Sequence, residues 1–253
     1  MSAASIDRTG HPHIHGASVT PAEKARGSIC LASRSPRRQD ALLALGVAFQ
    51  VRVSDIEDSL DGGQDPTDPV PIAIAKARDI LAIGGSGLPD VVLAADTIVA
   101  LGGEPLGKPM TSDVAVRMLQ RLRGQAHAVR TGVAMVSGSG IVSGEVCTPL
   151  VMRDYPDDDI AAYVATGEAL DCAGSYDARG GGGSLILSVS GCISSVVGFP
   201  ILAIAGLLVD AGVDVPVNPV EACASLYGRP CLGATHPEVC ALSRVRHANA
   251  FDV

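Results

Sequence analysis

The feature that most constrains this chain is a single acid set inside an apolar run. Residues 91–95 and 98–101 are apolar, a pattern typical of a β-strand covered on both faces, and Asp96 lies between them. A carboxylate there loses its hydration, and it recovers that free energy from a metal ion, a cation or several hydrogen-bond donors. Asp96 is therefore our first candidate functional residue. The alternative is a strand end at which Asp96 is solvated.

A tight turn follows the apolar run. Gly102 and Gly103 predict a hairpin. The segment Gly107-Lys108-Pro109 is then expected to fold back beside the strand, which brings Lys108 toward the part of the molecule that holds Asp96.

The composition argues against two classes of partner. Of the 253 residues 47% are hydrophobic, enough for the core of one large domain or of two lobes. No window approaches the roughly 18 continuous apolar residues of a membrane span, so we expect no membrane partner. The net charge of −8 argues against nucleic acid as a partner, whereas a small anionic ligand needs only local cations.

The seven cysteines indicate a location. They are odd in number and spread out, and no secretory signal precedes them, which fits a reduced cytoplasm. Cys231, His236 and Cys240 are residue types that bind zinc, but no Cys-x-x-Cys pair supports such a site and a loose tail explains them as well.

Both ends of the chain differ from its middle. Residues 1–27 are rich in Gly, Pro, Ser and His, and we interpret them as a disordered extension. Their His11, His13 and His15 suit either a metal ion or, more simply, a flexible polar tail. Residues 211–253 show no periodicity, and we leave them as an unassigned C-terminal extension.

A candidate phosphate site lies near the start of the ordered region. Residues 28–33 predict a strand and residues 36–45 a helix, with Ser35 at the N-cap. Arg37 and Arg38 place two positive charges at the helix end that already carries the positive dipole, which is unfavourable unless an anion binds there. Free N–H groups, hydroxyls and guanidinium groups together form a phosphate site. The alternative is two solvated surface arginines.

Two further charges stand out between residues 47 and 83. Residues 47–53 predict a strand that ends in an acidic loop containing Glu57, where a carboxylate can share a divalent ion with the phosphate site, although such loops are usually only solvated. Residues 68–83 predict a helix on which Lys76 falls inside the apolar stripe. This lysine either extends to the edge of the stripe or reaches a ligand.

The rest of the chain predicts alternating helices and strands. We expect an antiparallel pair of strands and a Gly-rich loop too irregular to form an element of its own. The predicted elements are helix 111–122, strands 127–136 and 141–152, a helix from 156 to 167, loop 168–183, strands 184–189 and 192–197, and helix 201–209.

Five separated blocks resemble one protein family. LASRSPRRQDALLALG, AADTIVALGGEPLGKP, MLQRLRGQAHAVRTGVA, YVATGEALDCAG and VVGFP occur in the order and spacing of the Maf family of nucleoside triphosphate pyrophosphatases. The resemblance covers roughly residues 28–210, which we take as the Maf-like domain.

The resemblance implies a fold and a reaction. The fold is α/β, with a mixed, elongated and twisted sheet flanked by helices and two lobes around a nucleotide cleft, as in the related ITPases. The implied protein is a cytoplasmic homodimer. The reaction is hydrolysis of the α–β phosphoanhydride of a nucleoside triphosphate to a monophosphate and pyrophosphate, with Mg²⁺ or Mn²⁺ as the divalent cation.

The resemblance also assigns roles to residues that already stood out. Asp96 matches the catalytic acid of the family, which activates water and helps to hold the metal, and Glu57 matches a carboxylate near the metal. The matches to groups that bind the substrate are Ser33, Arg37, Arg38, Lys76 and Lys108.

Two positions depart from the family pattern. Cys172 stands where the family usually has the lysine of Asp-Lys-Ala-Gly. Tyr-Asp-Ala-Arg-Gly replaces the Tyr-Gly-Ile-Gln-Gly of the dTTP- and UTP-cleaving branch, so Arg179 takes the place of a base-binding glutamine and can only donate hydrogen bonds. Arg179 is our candidate for substrate binding in this loop.

Alternative functions stay open at this point. The paired Arg37 and Arg38 and the Ala-Asp-Thr block favour the dTTP/UTP branch over the 7-methyl-GTP branch. Cys172, Arg179 and the altered loop also support a nucleotide-binding or protein-interacting relative with weak catalysis that acts as a septum formation inhibitor. Hydrolysis at the γ-phosphate is a further alternative.

Overall fold

The computed structural model of the chain describes residues 28–54, 56, 65–85 and 87–247. In this part of the chain one mixed sheet contains the strands β1 (Ile29–Ala32), β2 (Phe49–Arg52), β3 (Val92–Leu101), β4 (Glu104–Leu106), β5 (Ala126–Ser137), β6 (Gly140–Met152), β7 (Ile186–Val189) and β8 (Ser243–His247).

The strand order is β2-β1-β3-β5-β6-β7, with β4 paired to β3 and β8 paired to β6. Strand β1 runs parallel to β2 and β3, whereas the other pairs are antiparallel. The sheet is therefore mixed, as expected, and β3 lies near its centre.

Seven helices accompany the sheet in the described ranges. They are α1 (Pro36–Ala44), α2 (Val70–Ile83), α3 (Ser112–Leu122), α4 (Asp157–Ala165), α5 (Ile193–Val196), α6 (Ile201–Asp210) and α7 (Pro219–Tyr227). None of the described helices is long and apolar enough to cross a membrane.

Two hydrophobic cores lie one after the other along β3, beside a third core that β3 forms with α2. Leu93 and Ala95, early in the strand, pack with residues of α1, α6 and α7. Val99, late in the strand, packs with residues of α3 and α4. Between them, residues 96–98 are partly exposed. The chain thus forms two lobes that meet beside Asp96, which confirms the predicted α/β architecture.

One predicted strand is wrong. Residues 192–197 were expected to be extended, but α5 occupies Ile193–Val196. The segment is buried, with the Ser195 hydroxyl donating to the Val146 carbonyl at 3.0 Å and Ser194 Oγ accepting from the N–H of Ile201 at 3.1 Å. The segment reads Cys-Ile-Ser-Ser-Val-Val, and a stretch this short shows no clear period, so its sequence does not distinguish a strand from a helix.

Two further segments contain more structure than expected. The predicted irregular loop forms three 3₁₀ turns, at Glu168–Asp171, Ala173–Ser175 and Gly181–Leu185. The unassigned extension contains α7, and β8 pairs with β6. Asn218 caps α7 by accepting from the N–H of Val220 at 2.9 Å.

Several sequence-based interpretations lie outside the described residues. These are the disordered extension 1–27 with its three histidines, and Glu57 as a carboxylate near the metal.

Candidate active site

A cleft opens where β3 passes from one core to the other. Its volume is about 1170 Å³, slightly above the range of about 300–1,000 Å³ that is usual for ligand pockets. Six of the predicted site residues line this cleft: Ser33, Arg37, Arg38, Lys76, Asp96 and Lys108. Charges that are far apart in the sequence therefore converge on one cavity.

Asp96 and Lys76 form an ion pair inside the cleft. Lys76 Nζ lies 2.8 Å from Asp96 Oδ1, and the two side chains are only 14% and 17% exposed. The helical position of Lys76 inside an apolar stripe left two interpretations open, and the structure shows that its ammonium group reaches the cleft. The carboxylate of Asp96 is neither fully buried nor freely solvated.

A glycine on the neighbouring strand permits this pair. Gly132 on β5 lies opposite Asp96 in the strand register. A Cβ atom at Gly132 would come within 2.7 Å of the Pro69 backbone, just before α2 begins. The absent side chain thus lets α2 approach the sheet closely enough for Lys76 to reach Asp96.

The start of α1 supplies two arginines, of which Arg38 is held by the scaffold. Its guanidinium donates to the carbonyl of Gly198 at 3.1 Å, to Ser33 Oγ at 3.1 Å and to Thr97 Oγ1 at 3.5 Å. Burial lowers the pKa of Arg38, and the charge of Asp96 partly offsets this. The group stays protonated because an arginine does not lose its proton in proteins.

The cap of α1 leaves room for an anion. Ser35 occupies the N-cap position, as predicted, but its side chain makes no capping hydrogen bond. The N-terminal end of the helix dipole, with its positive partial charge, therefore faces the cleft without the usual side-chain acceptor. This arrangement supports the predicted phosphate site.

Arg37 is held by the loop that follows α4. Its Nη1 donates to Asp177 Oδ2 at 3.0 Å and to Cys172 Sγ at 3.1 Å, and its Nη2 donates to the Asp171 carbonyl at 3.4 Å. Burial raises the pKa of the Cys172 thiol, and the nearby Arg37 charge opposes this rise. The same loop holds Lys108, whose Nζ lies 2.8 Å from Asp171 Oδ1.

A buried histidine supports an aromatic side chain at the cleft wall. His127 Nε2 and the Tyr176 hydroxyl are 2.8 Å apart, and Tyr176 lines the cleft. Burial lowers the pKa of His127 to about 4, although a backbone hydrogen bond at Gln125 opposes this. The imidazole is therefore neutral near pH 7, and burial raises the pKa of Tyr176.

Arg179 is not brought into the cleft. Its guanidinium lies 3.0 Å from Asp40 Oδ2, and it lines a separate hollow of about 330 Å³. Its role in substrate binding stays a prediction.

The carboxylates of the cleft fit a divalent cation held together with substrate. Among the described residues no three His, Cys, Asp or Glu side chains are grouped to hold a metal ion. Asp65 and Asp68 line the cleft, but Asp65 accepts from Thr67 and Arg130 and Asp68 accepts from the start of α2. Asp96 is left with Oδ2 unpaired in this part of the chain. Mg²⁺ in nucleotide enzymes needs only one or two carboxylates plus phosphates.

Sequence reasoning missed the partners of these residues. Thr97 contacts Arg38, and Asp177 contacts Arg37. Thr97 stands in the same block as Asp96, which was a usable signal. Asp177 was noticed only as a departure from a family motif, and no local pattern predicts its contact.

Comparisons with known proteins agree with the geometry. The family model described as Maf-like protein matches residues 28–211. A protein of Anaeromyxobacter dehalogenans strain 2CP-1, named dTTP/UTP pyrophosphatase, is 42% identical over 193 residues, which cover 74% of this chain and 96% of the relative. A protein of the same name from Escherichia coli O157:H7 is 43% identical over 176 residues, which cover 69% of this chain and 88% of the relative.

Solved structures provide a more distant likeness. A HAM1 protein from Coxiella burnetii is 18% identical, covers 62% of this chain and 93% of that chain, and superposes with a TM-score of 0.37.

Proposed function

Because the chain belongs to the Maf-like protein family, we propose that it hydrolyses the α–β phosphoanhydride of dTTP and UTP, releasing a nucleoside monophosphate and pyrophosphate. It is thus a nucleoside triphosphate diphosphatase, a hydrolase that acts on acid anhydrides. The names of two relatives support the substrate class.

One observation carries the proposal: a carboxylate and four cationic side chains share a single cleft. Asp96 lies beside Lys76, and Arg37, Arg38 and Lys108 line the same cavity. A triphosphate carries several negative charges in a row, and only a concentration of local cations binds it to a chain with a net charge of −8.

The proposed reaction assigns a task to each group. Asp96 orients a water molecule and accepts its proton, while the water oxygen bonds to the α-phosphorus. The bond from the α-phosphorus to the bridging oxygen breaks, and its electron pair leaves with the pyrophosphate. Arg37, Arg38 and Lys108 neutralise the charge that grows on this leaving group. Lys76 fixes the carboxylate of Asp96 by donating to Oδ1.

A divalent cation completes the proposal. Asp96 and the phosphates of the substrate would hold it, and Glu57 is the second carboxylate that the family resemblance suggests. When bound, Mg²⁺ or Mn²⁺ supplies positive charge that offsets the charge of the triphosphate.

Product analysis tests the reaction. The enzyme is incubated with dTTP, UTP, 7-methyl-GTP and the other common nucleoside triphosphates, with Mg²⁺ or Mn²⁺, in water enriched in ¹⁸O. We expect pyrophosphate as the released product, with the label in the nucleoside monophosphate and the highest kcat/KM for dTTP and UTP. Release of orthophosphate, or label in the pyrophosphate, would show attack at another phosphorus.

A substitution at Asp96 tests its role as the catalytic base. Asp96→Asn keeps the shape of the side chain but removes the base, so we expect kcat to fall by about a hundredfold or more. The matched control is Asp113→Asn, an exposed acid in the first turn of α3, which should leave kcat unchanged. Equal kcat values in Asp96→Asn and the wild type would show that Asp96 is not the catalytic base.

A further inference from the structure

The two arginines at the start of α1 are held in different ways. Arg38 contacts residues of β3 and of the segments after β1 and α5, all parts of the sheet scaffold. Arg37 makes its side-chain contacts with residues 171–177, a stretch of the loop after α4. The position of Arg37 therefore depends on that loop, and the position of Arg38 does not.

We propose that Asp177 sets the affinity for substrate by competing with the triphosphate for Arg37. This inference rests on the proposed function, in which Arg37 binds phosphate. In the free enzyme the Asp177 carboxylate forms an ion pair with Arg37, with Oδ2 3.0 Å from Nη1. Both side chains line the cleft. A phosphate that binds the Nη1 group of Arg37 competes with this internal anion.

Asp177 is itself held rigidly for this task. Its Oδ1 accepts from the N–H of Arg179 at 2.9 Å, and its own N–H donates to the Tyr163 hydroxyl at 2.9 Å. Tyr163 belongs to α4 and is buried. The carboxylate is thus fixed within the loop before substrate arrives, and its contact with Arg37 costs little further ordering.

The partial burial of the pair makes the competition measurable. The side chains of Arg37 and Asp177 are 24% and 20% exposed, so water screens their attraction only in part. The loop offers a second carboxylate to a cleft cation, but the Lys108 and Asp171 side chains are 53% and 85% exposed. We therefore expect Asp177 to be the main internal competitor of the substrate for the cleft cations, and Asp171 to have little effect on substrate affinity.

The test is Asp177→Asn, which removes the charge and keeps the size of the side chain. We expect KM for dTTP to fall by about three- to fivefold, which is the change in affinity that corresponds to the loss of one partly exposed ion pair. The dissociation constant of the non-hydrolysable analogue α,β-imido-dTTP, measured by calorimetry, should fall by the same factor. Asp177→Gly, with the residue of the family motif, is a second variant that should change KM in the same direction.

A matched control separates competition from loosening of the loop. Asp40→Asn breaks the ion pair between α1 and Arg179, two residues after Asp177, and this pair lies outside the cleft. We expect KM and the dissociation constant of the analogue to stay unchanged in Asp40→Asn. Thermal melting of each variant confirms that it is folded.

Each outcome decides the inference. A rise in KM and in the dissociation constant in both Asp177 variants would mean that Asp177 positions Arg37 for the substrate, which overturns the proposal. No change, or an equal fall in Asp40→Asn, would overturn it too. If the wild type released no pyrophosphate, the proposed function would fail, whereas binding of the analogue would still report on the competition.

Discussion

Lys76 and Arg38 serve the same cleft with different chemistry. The lysine ammonium is a point charge on a flexible stem, so Lys76 can stay close to Asp96 and turn toward a phosphate. The guanidinium of Arg38 is a planar fork, and three acceptors from different segments hold it. Exchanging the two residue types would therefore lose either the mobility of the first or the fixed orientation of the second.

His127 predicts how stability depends on pH. Its pKa is lowered to about 4 by burial, whereas an unfolded chain has a His pKa of about 6.5. Between these values the unfolded chain binds a proton that the folded chain does not, so stability is complete above pH ~6.5 and falls as the pH drops toward 4. At pH 5 we expect the free energy of unfolding to be lower by about 2 kcal/mol.

Urea unfolding at pH 7.5 and pH 5.0 measures this effect. The variant His127→Gln keeps a neutral group beside Tyr176 but cannot titrate, so its stability should lose about 2 kcal/mol less than the wild type between the two pH values. The same loss in both proteins would show that another group carries the pH dependence.

Strand β3 and helix α2 create the site by their close approach. The strand supplies Asp96 at the gap between the two cores, and the helix supplies Lys76. Their spacing depends on Gly132 of β5, since a larger residue would collide with the backbone at Pro69. A residue without a side chain therefore controls the distance between Lys76 and Asp96.

Gly132→Ala should separate the helix from the sheet. The added Cβ atom meets backbone rather than a flexible side chain, so α2 must shift. We expect a loss of about 1–3 kcal/mol in the free energy of unfolding, which is typical of overpacking. We also expect a fall in kcat, because Lys76 moves away from Asp96.

The control for this change is Gly138→Ala in the turn between β5 and β6. A Cβ atom at Gly138 meets nothing within 4 Å. Urea unfolding and pyrophosphate release should match the wild type in this variant. A Gly132→Ala protein as stable and active as Gly138→Ala would contradict the argument.

The C-terminal extension is part of the packed molecule rather than an appendage. Helix α7 contributes Ala222 and Cys223 to the first core, and the N–H of Val217 donates to the Leu45 carbonyl at 3.2 Å. Strand β8 pairs with β6 along Ile141–Glu145. Glu145 in turn holds Arg130 at 2.8 Å, and Arg130 contacts Asp65 at the cleft.

Deleting residues 212–253 should therefore destabilise the whole protein. The deletion exposes apolar surface on α1 and α6 and removes the partner strand of β6, so we expect a loss of at least about 3 kcal/mol in the free energy of unfolding. Thermal melting and urea unfolding measure it. Deleting residues 1–26, which precede the family match, is the comparison and should leave stability and pyrophosphate release unchanged. Equal stability of the two truncated proteins would contradict the prediction.

The sequence was most informative where a period or a motif was long. Alternation over β5 and β6 and the stripe on α2 predicted those elements, and the blocks around Ser33 and Asp96 identified the family. It failed at α5, which is four residues long, and over the extension that contains α7. Tertiary burial decides such short segments, because too few residues are present to show a period. The cytoplasmic homodimer implied by the resemblance stays a prediction.

The sequence by itself determined the type of fold, the family and six of the residues that line the cleft. Only the tertiary structure decided which charged side chains form ion pairs with each other. Arg37 and Asp177 are 140 positions apart, and Lys76 and Asp96 are 20 apart. Local propensity acts over a few residues, whereas the meeting of distant side chains depends on how helices and loops pack against the sheet. For that reason the sequence alone did not show that Arg37 is already occupied and that Arg179 lies outside the cleft.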